Sequence, residues 1–210
     1  MVISNEQISF KTRKSRTDFV NLHYSPFFGN NILDVGCFEA PLRHLVKNIN
    51  YTGVDIAGDP DIQLNLEEVS LLPFIDNQFD FVMCIEVLEH IDNLHQIFDD
   101  LFRVSKKYIL VSLPNCWGVA RRKIERGKGH FSHYGLPLDK PIDRHKWFVN
   151  ITQSRKFFEG KINESIKLVD LRVVEKPRLL PVRFYRKILY PGERYLNRYA
   201  HTLFALYEKC

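Results

Sequence analysis

The sequence predicts an α/β fold: a doubly wound, mostly parallel sheet of seven strands with helices on both faces and an antiparallel last strand. Two observations predict it. Short apolar runs alternate with amphipathic segments through residues 1–115, and a further apolar run at Thr202–Tyr207 follows a long basic stretch. Alternating strands and helices favour parallel strands that are joined by right-handed crossovers.

Each strand is predicted from a short apolar run that is bounded by turn residues. The predicted strands are Ile32–Val35, Tyr51–Asp55, Ile62–Leu64, Phe79–Ile85, Tyr108–Leu113, Ile166–Val174 and Thr202–Tyr207. Helices are predicted where apolar residues recur at helical spacing or follow a capping residue. The predicted helices are Thr17–Tyr24, Pro41–Lys47, Leu94–Arg103 and Thr152–Phe158, the last with Thr152 as its N-cap.

The composition favours a single domain spanning residues 1–210, in which 45% of the residues are hydrophobic. No apolar run approaches the roughly 18 residues of a membrane span, and Met1–Phe10 has no apolar signal core. We therefore expect a cytoplasmic protein, with a peripheral position on an anionic membrane as an alternative. The four cysteines are widely scattered and form no CxxC pair, so neither a disulfide framework nor a zinc motif is expected.

Charge is distributed unevenly between the two halves of the chain. Residues 1–100 contain 6 Lys/Arg and 16 Asp/Glu, whereas residues 101–210 contain 24 Lys/Arg and 9 Asp/Glu. The second half is therefore expected to form a basic surface that favours anionic partners such as phosphorylated metabolites, nucleic acid or acidic lipid. A solvated basic face without a partner is the alternative interpretation.

Two segments interrupt the alternation of strands and helices. Residues 115–148 are rich in glycine, histidine and basic side chains, and residues 175–200 contain three prolines among many Arg, Lys and Tyr residues. Long irregular segments in a domain are usually functional or mobile. We expect both segments to be insertions on the acceptor side of the site.

Acidic residues lie at the carboxyl ends of three of the predicted strands, namely Asp34, Asp55 and Glu86. Ligands of doubly wound sheets bind beyond the carboxyl ends of the strands, and Asp55 can accept hydrogen bonds from both hydroxyls of a ribose. The loop Gly36–Pro41 lacks the G-x-G-x-x-G pattern of dinucleotide sites. Its acidic surroundings instead suit a cation with an ammonium and a sulfonium group, and S-adenosylmethionine (SAM) is such a ligand.

Five short motifs together resemble those of the class I SAM-dependent methyltransferases, in particular the methyltransferase type 11 group. They are Ile32–Cys37, Tyr51–Ile56, Leu72–Phe74, Phe79–Val82 and Glu86–His90. The resemblance covers residues 28–115 and implies a Rossmann-like fold, SAM as the cofactor and methyl transfer as the reaction. Each motif is weak alone, but five in the right order are specific.

The resemblance also implies the cofactor-binding residues. Asp34 and Gly36 would line the methionine end of SAM beside Cys37, and Asp55 would bind the ribose. The remaining implied positions are Ile56, Asn65 and Leu66 near the adenine and the backbone of Cys84 and Ile85 beneath the sulfonium. The chain departs from the family at Phe38 and Ala40, where the family usually has glycine. Glycine takes positive φ without strain, so Phe38 must point its side chain away from the cofactor.

Several residues could act on the acceptor. A general base assists when the nucleophile is a hydroxyl or ammonium group. His90 and His145 are the candidate catalytic residues, and His130, His133 and Tyr134 are further candidates in the loop after the fifth strand. Structural or surface roles for these side chains are the alternative.

A divalent metal site is an open alternative that we do not favour. If a helix begins near Glu86, then Glu86, Glu89 and His90 share one helical face, and His145 could supply a fourth ligand. This set resembles that of the Mg²⁺-dependent 2′-O-methyltransferases of small-RNA 3′ ends, and some ubiquinone-pathway O-methyltransferases look similar here. The same E-V-L-E-H stretch is common in class I methyltransferases without a metal.

Three functions follow from these observations. The leading one is methyl transfer from SAM to an oxygen or nitrogen atom of a small or lipid-linked, anionic acceptor. The second is a metal-assisted RNA 2′-O-methyltransferase, favoured by basic residues at 121–123 near Trp117. The third is a non-catalytic domain that binds a partner. The mixed apolar and basic stretch at 178–187 is compatible with docking on an anionic membrane.

Overall fold

The computed structural model describes residues 3–129, 133–141 and 143–210. The strands are β1 (Ser4–Gln7), β2 (Asn31–Val35), β3 (Asn50–Asp55), β4 (Ile62–Gln63), β5 (Phe79–Ile85), β6 (Ser105–Pro114), β7 (Ile166–Glu175) and β8 (Ala200–Lys209). The α-helices are α1 (Arg13–Tyr24), α2 (Leu94–Val104), α3 (Cys116–Ile124), α4 (Ile151–Glu159), α5 (Leu180–Leu189) and α6 (Glu193–Tyr199). Single 3₁₀ turns occupy Ser25–Phe27, Pro41–His44 and Leu88–His90.

All eight strands form one sheet in the order β1-β7-β8-β6-β5-β2-β3-β4. Strand β8 is antiparallel to β6 and β7, and the other pairs are parallel. The predicted doubly wound fold with an antiparallel last strand is therefore confirmed. The predicted count of seven strands is wrong, because Ser4–Gln7 adds a parallel edge strand beside β7. Its four polar residues give no apolar run from which a strand could be predicted.

The core consists of two apolar clusters that receive alternate side chains of the buried strands. On β2, Ile32 belongs to the cluster that contains Phe19 of α1, whereas Leu33 belongs to the cluster that contains Phe98 of α2. Successive side chains of a strand point to opposite faces, so the two clusters lie on opposite faces of the sheet. The central strands are apolar on both faces for this reason.

Three helix predictions need correction. The predicted helix Pro41–Lys47 is only a 3₁₀ turn at Pro41–His44, and the chain soon takes a positive φ of 61° at Asn48. The N-cap of α4 is Asn150 rather than Thr152, since Asn150 and Gln153 each accept a backbone N–H from the other. The two predicted insertions contain helices: α3 begins at Cys116, and α5 and α6 lie within 175–200.

No helix in the three described ranges is both long enough and apolar enough to cross a membrane.

Asn115 joins the carboxyl end of β6 to the segment that enters β8. Its side chain is fully buried, its Nδ2 lies 2.9 Å from the carbonyl oxygens of Asn197 and Ala200, and its Oδ1 accepts from the N–H of Gly118. The position of α3 relative to the sheet depends on these bonds.

We expect Asn115→Ala to lower the free energy of unfolding by about 2 kcal/mol, because buried carbonyl groups would lose their donors. Urea denaturation would measure this change. The exposed Asn5→Ala should change it by less than about 0.5 kcal/mol. An equal effect of the two substitutions would contradict the proposed role of Asn115.

Candidate functional site

A narrow cavity opens at the carboxyl edge of the sheet, between β2, β5 and helix α1. Its volume is about 40 Å³. The lining residues are Arg13, Arg16, Thr17, Val20, Asp34, Gly36, Cys37, Pro41, Met83 and Ile85. Four of the predicted cofactor-binding residues, Asp34, Gly36, Cys37 and Ile85, therefore line one cavity.

Asp34 is a buried carboxyl group with an unusual pKa. Only 4% of the residue is exposed, and its Oδ2 accepts a hydrogen bond of 2.6 Å from the hydroxyl of Tyr51. Burial raises the pKa of Asp34 to about 7, and the nearby Asp55 adds to the increase, whereas the Tyr51 bond opposes it. A cationic ligand in the cavity would favour the ionised form.

The loop after β2 is held in a left-handed conformation at both positions where the family usually has glycine. Phe38 and Ala40 have φ values of 49° and 46°. The N–H of Phe38 donates to Asp55 Oδ2 at 2.8 Å, and its carbonyl accepts from the N–H of Asp59 at 2.7 Å. The Phe38 ring lies against the guanidinium group of Arg13, 4.1 Å from the ring centroid. Phe38 does not line the cavity.

Gly36 is a position where no side chain fits. Its φ is 81°, and a Cβ atom there would overlap the side chain of Val87. The loop thus turns tightly from β2 toward Asp55, whose Oδ1 also accepts from the N–H of Ala57 at 3.1 Å. Ile56, beside Asp55, is 49% exposed and offers an uncovered apolar surface.

Three further predicted cofactor-binding residues, Asn65, Leu66 and Cys84, lie outside the lining of this cavity. Asn65 uses its side chain locally, with its Oδ1 accepting from Glu67 N–H and its Nδ2 donating to Glu68. Leu66 is buried, and Cys84 lies within β5 with no exposed surface. None of these three residues lines the cavity, so their contacts with a cofactor stay predictions.

Two arginines that the sequence analysis missed line the same cavity. Arg13 and Arg16 extend from the first turn of α1, and Arg16 forms an ion pair with Glu86. A signal was present, because four of the six Lys/Arg residues of the acidic half lie at 11–16. The cavity therefore presents a carboxyl group and guanidinium groups together, which fits the ammonium and carboxylate of the methionine end of SAM.

A second cluster of polar residues lies beyond β5. Glu89, His90 and His145 each place one possible metal-ligand atom within 4.8 Å of the others. The backbone carbonyl of Glu89 accepts from the N–H groups of Lys146 and Trp147 at 2.8 and 3.2 Å. These bonds hold the segment that carries His145 against the 3₁₀ turn that carries Glu89 and His90.

The orientation of both imidazoles is fixed by a second polar group. His90 Nδ1 lies 2.5 Å from Asp143 Oδ1, which leaves His90 Nε2 facing Glu89 Oε1 at 3.6 Å. His145 Nδ1 lies 2.6 Å from the hydroxyl of Tyr134. A partner on one ring nitrogen is typical of metal-binding histidines and also of catalytic bases.

Burial disfavours the charged forms of Glu89, His90 and His145. Burial lowers the pKa of His145 to about 4, with further lowering by the neighbouring His90, and burial also lowers the pKa of His90. Burial raises the pKa of Glu89 well above its usual range, and Glu86 adds to this shift. Among the described residues nothing hydrogen-bonds Glu89 Oε2. A neutral imidazole pair beside this carboxyl group could hold a cation or accept a proton.

The predicted role of Glu86 in this cluster depends on a helix that does not form. Glu86 has a φ of 53°, only the 3₁₀ turn Leu88–His90 follows, and α2 begins at Leu94. Glu86, Glu89 and His90 therefore do not share a helical face, and the Glu86 carboxylate pairs with Arg16 instead. The cluster contains three of the four residues expected from the sequence.

Two further candidate bases, His133 and Tyr134, lie against His145. The ring of His133 stacks on His145 with 4.7 Å between the centroids, and Tyr134 contacts His145 as described above. His130 lies outside the described residues.

Two larger cavities border α3. An apolar one of about 420 Å³ is lined by Trp117, Ile124, Phe148 and Tyr190, among others. The Phe148 ring lies 5.0 Å from the Tyr134 ring, which connects this cavity to the His145 cluster. The second, of about 650 Å³, is lined mainly by Arg and Lys side chains of α3 and of residues 176–198.

Comparison with known proteins agrees with this geometry. Residues 33–109 match the model of a methyltransferase domain family. An uncharacterized protein of Methanocaldococcus jannaschii is 35% identical over 81 residues, which is 36% of this chain and 36% of that protein. A ubiquinone biosynthesis O-methyltransferase of Glaesserella parasuis is 26% identical over 112 residues, 44% of this chain and 48% of that protein. The match thus spans less than half the length of these curated relatives.

Solved structures extend the similarity to nearly the whole chain. A SAM-dependent methyltransferase from Archaeoglobus fulgidus has a TM-score of 0.57 at 17% identity and covers 95% of each chain. The small RNA methyltransferase HEN1 has a TM-score of 0.61 at 18% identity, covering 97% of this chain and 26% of that one. The [4+2]-cyclase SpnF has a TM-score of 0.58 at 13% identity, covering 100% and 87%. At these identities the structures show a shared fold.

Residues 33–109 resemble a methyltransferase domain, and the chain shares its fold with a SAM-dependent methyltransferase.

We expect the affinity for SAM to fall as the pH drops below about 7, because the ionised Asp34 attracts the ammonium group and the protonated form does not. Calorimetric titration between pH 5.5 and 8.5 (values chosen roughly around that pKa) would measure the affinity. 5′-Methylthioadenosine, which lacks the ammonium and carboxylate groups, should show a much weaker dependence. The same dependence in Asp34→Asn would contradict the assignment.

Proposed function

We propose that this chain transfers a methyl group from SAM to an oxygen or nitrogen atom of a small or lipid-linked acceptor that carries an anionic group. One observation carries the proposal: Asp34, Gly36 and the two arginines surround a single cavity at the carboxyl edge of the sheet, next to Asp55.

Each part of SAM has a complementary group in this arrangement. The ammonium group of SAM would pair with Asp34, and its carboxylate would pair with Arg13 or Arg16. Both contacts would be charge-assisted hydrogen bonds. The ribose hydroxyls would donate to Asp55, whose two oxygens each already accept one N–H and retain further acceptor capacity. The exposed side chain of Ile56 would pack against the adenine.

When bound, SAM would supply a methyl group on its sulfonium sulfur, and S-adenosylhomocysteine would be the leaving group when the acceptor atom bonds to that methyl carbon. The chain has to position the acceptor and to receive its proton. His90 is suited to the second task, because its Nε2 is unprotonated when Nδ1–H donates to Asp143. The Asp143 carboxylate would stabilise the imidazolium that forms, as in other carboxylate–histidine pairs.

The two cavities beside α3 support the acceptor class. Trp117 and Phe148 line a space that suits an apolar body, and the neighbouring cavity is rich in Arg and Lys side chains. A molecule with an apolar portion and an anionic group fits this pair of surfaces. The matched relatives include an O-methyltransferase of ubiquinone biosynthesis, which is consistent with a lipid-linked acceptor.

We expect Asp55→Ala to weaken SAM and S-adenosylhomocysteine binding by about 10- to 100-fold, since a charged hydrogen-bond acceptor for the ribose is lost. Isothermal titration calorimetry would measure both affinities. The exposed Asp139→Ala is the matched control and should bind both ligands like the unmodified chain.

Retention of full affinity in Asp55→Ala would contradict this site. The absence of binding at millimolar SAM would favour the third hypothesis, a non-catalytic domain that binds a partner. Phe38 motivates that hypothesis, because it brings a bulky side chain into the cofactor loop. The similarity to a [4+2]-cyclase also means that the fold alone does not define the reaction.

A second candidate function is metal-assisted methylation of RNA at a 2′-hydroxyl. The observation that favours it is the cluster of Glu89, His90 and His145, which combines one carboxylate and two imidazoles. Such a set can bind Mn²⁺, Fe²⁺ or Zn²⁺, and here a divalent cation would orient the two hydroxyls of a terminal ribose. The small RNA methyltransferase HEN1 shares the fold.

For this candidate we expect Mn²⁺ to bind once per chain and Glu89→Gln to weaken binding at least about tenfold, since the buried carboxylate ligand is lost. Calorimetry with MnCl₂ would measure it. The matched control is Glu86→Gln, which should retain Mn²⁺ binding because Glu86 pairs with Arg16. An equal loss of Mn²⁺ affinity in Glu89→Gln and Glu86→Gln would indicate that Glu86 is also a ligand. If the unmodified chain does not bind Mn²⁺, the metal-assisted function is contradicted and His90 is the proposed base without a metal.

A further inference from the structure

Helix α5 exposes its apolar side chains to solvent. None of its ten residues is buried, and Leu180, Phe184 and Ile188 are 74%, 68% and 61% exposed. The spacing of four residues places these three side chains in one stripe along the helix. A surface helix of a globular protein normally turns such a stripe toward the core.

The basic side chains of α5, in contrast, contact residues of neighbouring elements. Arg183 forms an ion pair with the buried Glu175, the guanidinium of Arg186 lies 4.4 Å from the ring centroid of Tyr199, and the ammonium of Lys187 lies 5.5 Å from that of Tyr195. These contacts fix the rotation of the helix about its axis. The outward apolar stripe is therefore a consequence of how the helix is anchored.

The surface next to α5 is strongly basic. The large cavity between α5 and α3 includes Arg122, Arg126, Lys176 and Arg178 in its lining. The two acidic residues in that lining, Glu125 and Glu175, are each engaged by arginines. A hydrophobic stripe thus lies beside a cavity with a large net positive charge.

We propose that α5 and this basic cavity dock the domain on the surface of an anionic lipid bilayer. The stripe of Leu180, Phe184 and Ile188 would enter the boundary between headgroups and acyl chains, and the basic side chains would contact anionic headgroups. Apolar burial and electrostatic attraction act together in such binding, and neither alone gives a stable attachment.

Two other occupants fit the surface less well. A symmetric dimer through α5 would bring the same patch of both copies together, and with it two basic cavities of like charge. A nucleic acid would use the basic cavity but would leave the aliphatic side chains of Leu180 and Ile188 exposed.

The docking inference does not depend on methyl transfer. It would, however, bring the apolar cavity of Trp117 and Phe148 close to the bilayer, because Tyr190 directly follows α5 and lines that cavity. A lipid-linked acceptor could then reach the site from the membrane.

The test is co-sedimentation of the full chain with vesicles of phosphatidylcholine containing about one-third phosphatidylglycerol, against vesicles of phosphatidylcholine alone. We expect binding to the first and at least about tenfold weaker binding to the second. The double variant Phe184→Ser/Ile188→Ser should reduce binding to the anionic vesicles at least about tenfold, because apolar contact with the bilayer is lost.

The matched control is Leu22→Ser, which removes an equally exposed apolar side chain (73% exposed) on α1. It should bind vesicles like the unmodified chain. SAM titration of all variants should be unchanged, so that failure of docking and failure of the cofactor site give different results. Unchanged SAM affinity also shows that the variants are folded.

Three results would overturn the docking proposal. One is the absence of binding to anionic vesicles, and another is equal binding by Leu22→Ser and the double variant. The third is a dimer in sedimentation velocity that the double variant dissociates, which would assign the stripe to a second copy. In the first case, binding of a single-stranded RNA with the same affinity by the unmodified chain and the double variant would assign the basic cavity to nucleic acid.

Discussion

The hydrogen bond between the Phe38 N–H and the Asp55 carboxylate is the interaction on which the proposed cofactor site depends. Left-handed backbone costs about 1–2 kcal/mol for a residue other than glycine, and the loop adopts it at both Phe38 and Ala40. The bonds from Phe38 to Asp55 and from Asp59 to Phe38 offset that cost. Since the same carboxylate would receive the ribose, loop geometry and cofactor affinity are coupled through one side chain.

This coupling explains how the family motif can persist without its usual glycines. Glycine would adopt the loop conformation unaided, whereas this chain stabilises it by contacts from the neighbouring strand and by packing of the Phe38 ring against Arg13. Gly36 differs, because it has a positive φ and a Cβ atom on this backbone would also overlap the side chain of Val87. All three positions of the motif therefore require a left-handed backbone, and Gly36 has a steric requirement in addition.

Most of the fold could be predicted from the sequence because the buried parallel strands are continuous apolar runs, and their carboxyl ends must meet at one edge. Asp34 and Asp55 followed from that topology. Arg16 could not be assigned in the same way, because its contact with Glu86 spans 70 positions of the chain. The positive φ of Glu86 could not be predicted from the sequence either. No α-helix begins at this residue, whereas the four-ligand metal site had assumed one. Strand β1 carries no apolar pattern at all.

The cluster of Glu89, His90 and His145 presents a physical problem that the rest of the fold does not solve. Among the described residues nothing hydrogen-bonds Glu89 Oε2, so this buried carboxylate is expensive to ionise. Burial also lowers the pKa of both neighbouring imidazoles and favours their neutral forms. A proton on Glu89 would resolve this, and so would a cation shared with the two imidazoles. In the first case His90, oriented by Asp143, is a base beside a neutral acid. In the second case Glu89 and both histidines become ligands, and the proton of the acceptor must leave by another route. The charge state of Glu89 thus distinguishes the two proposed functions of this cluster.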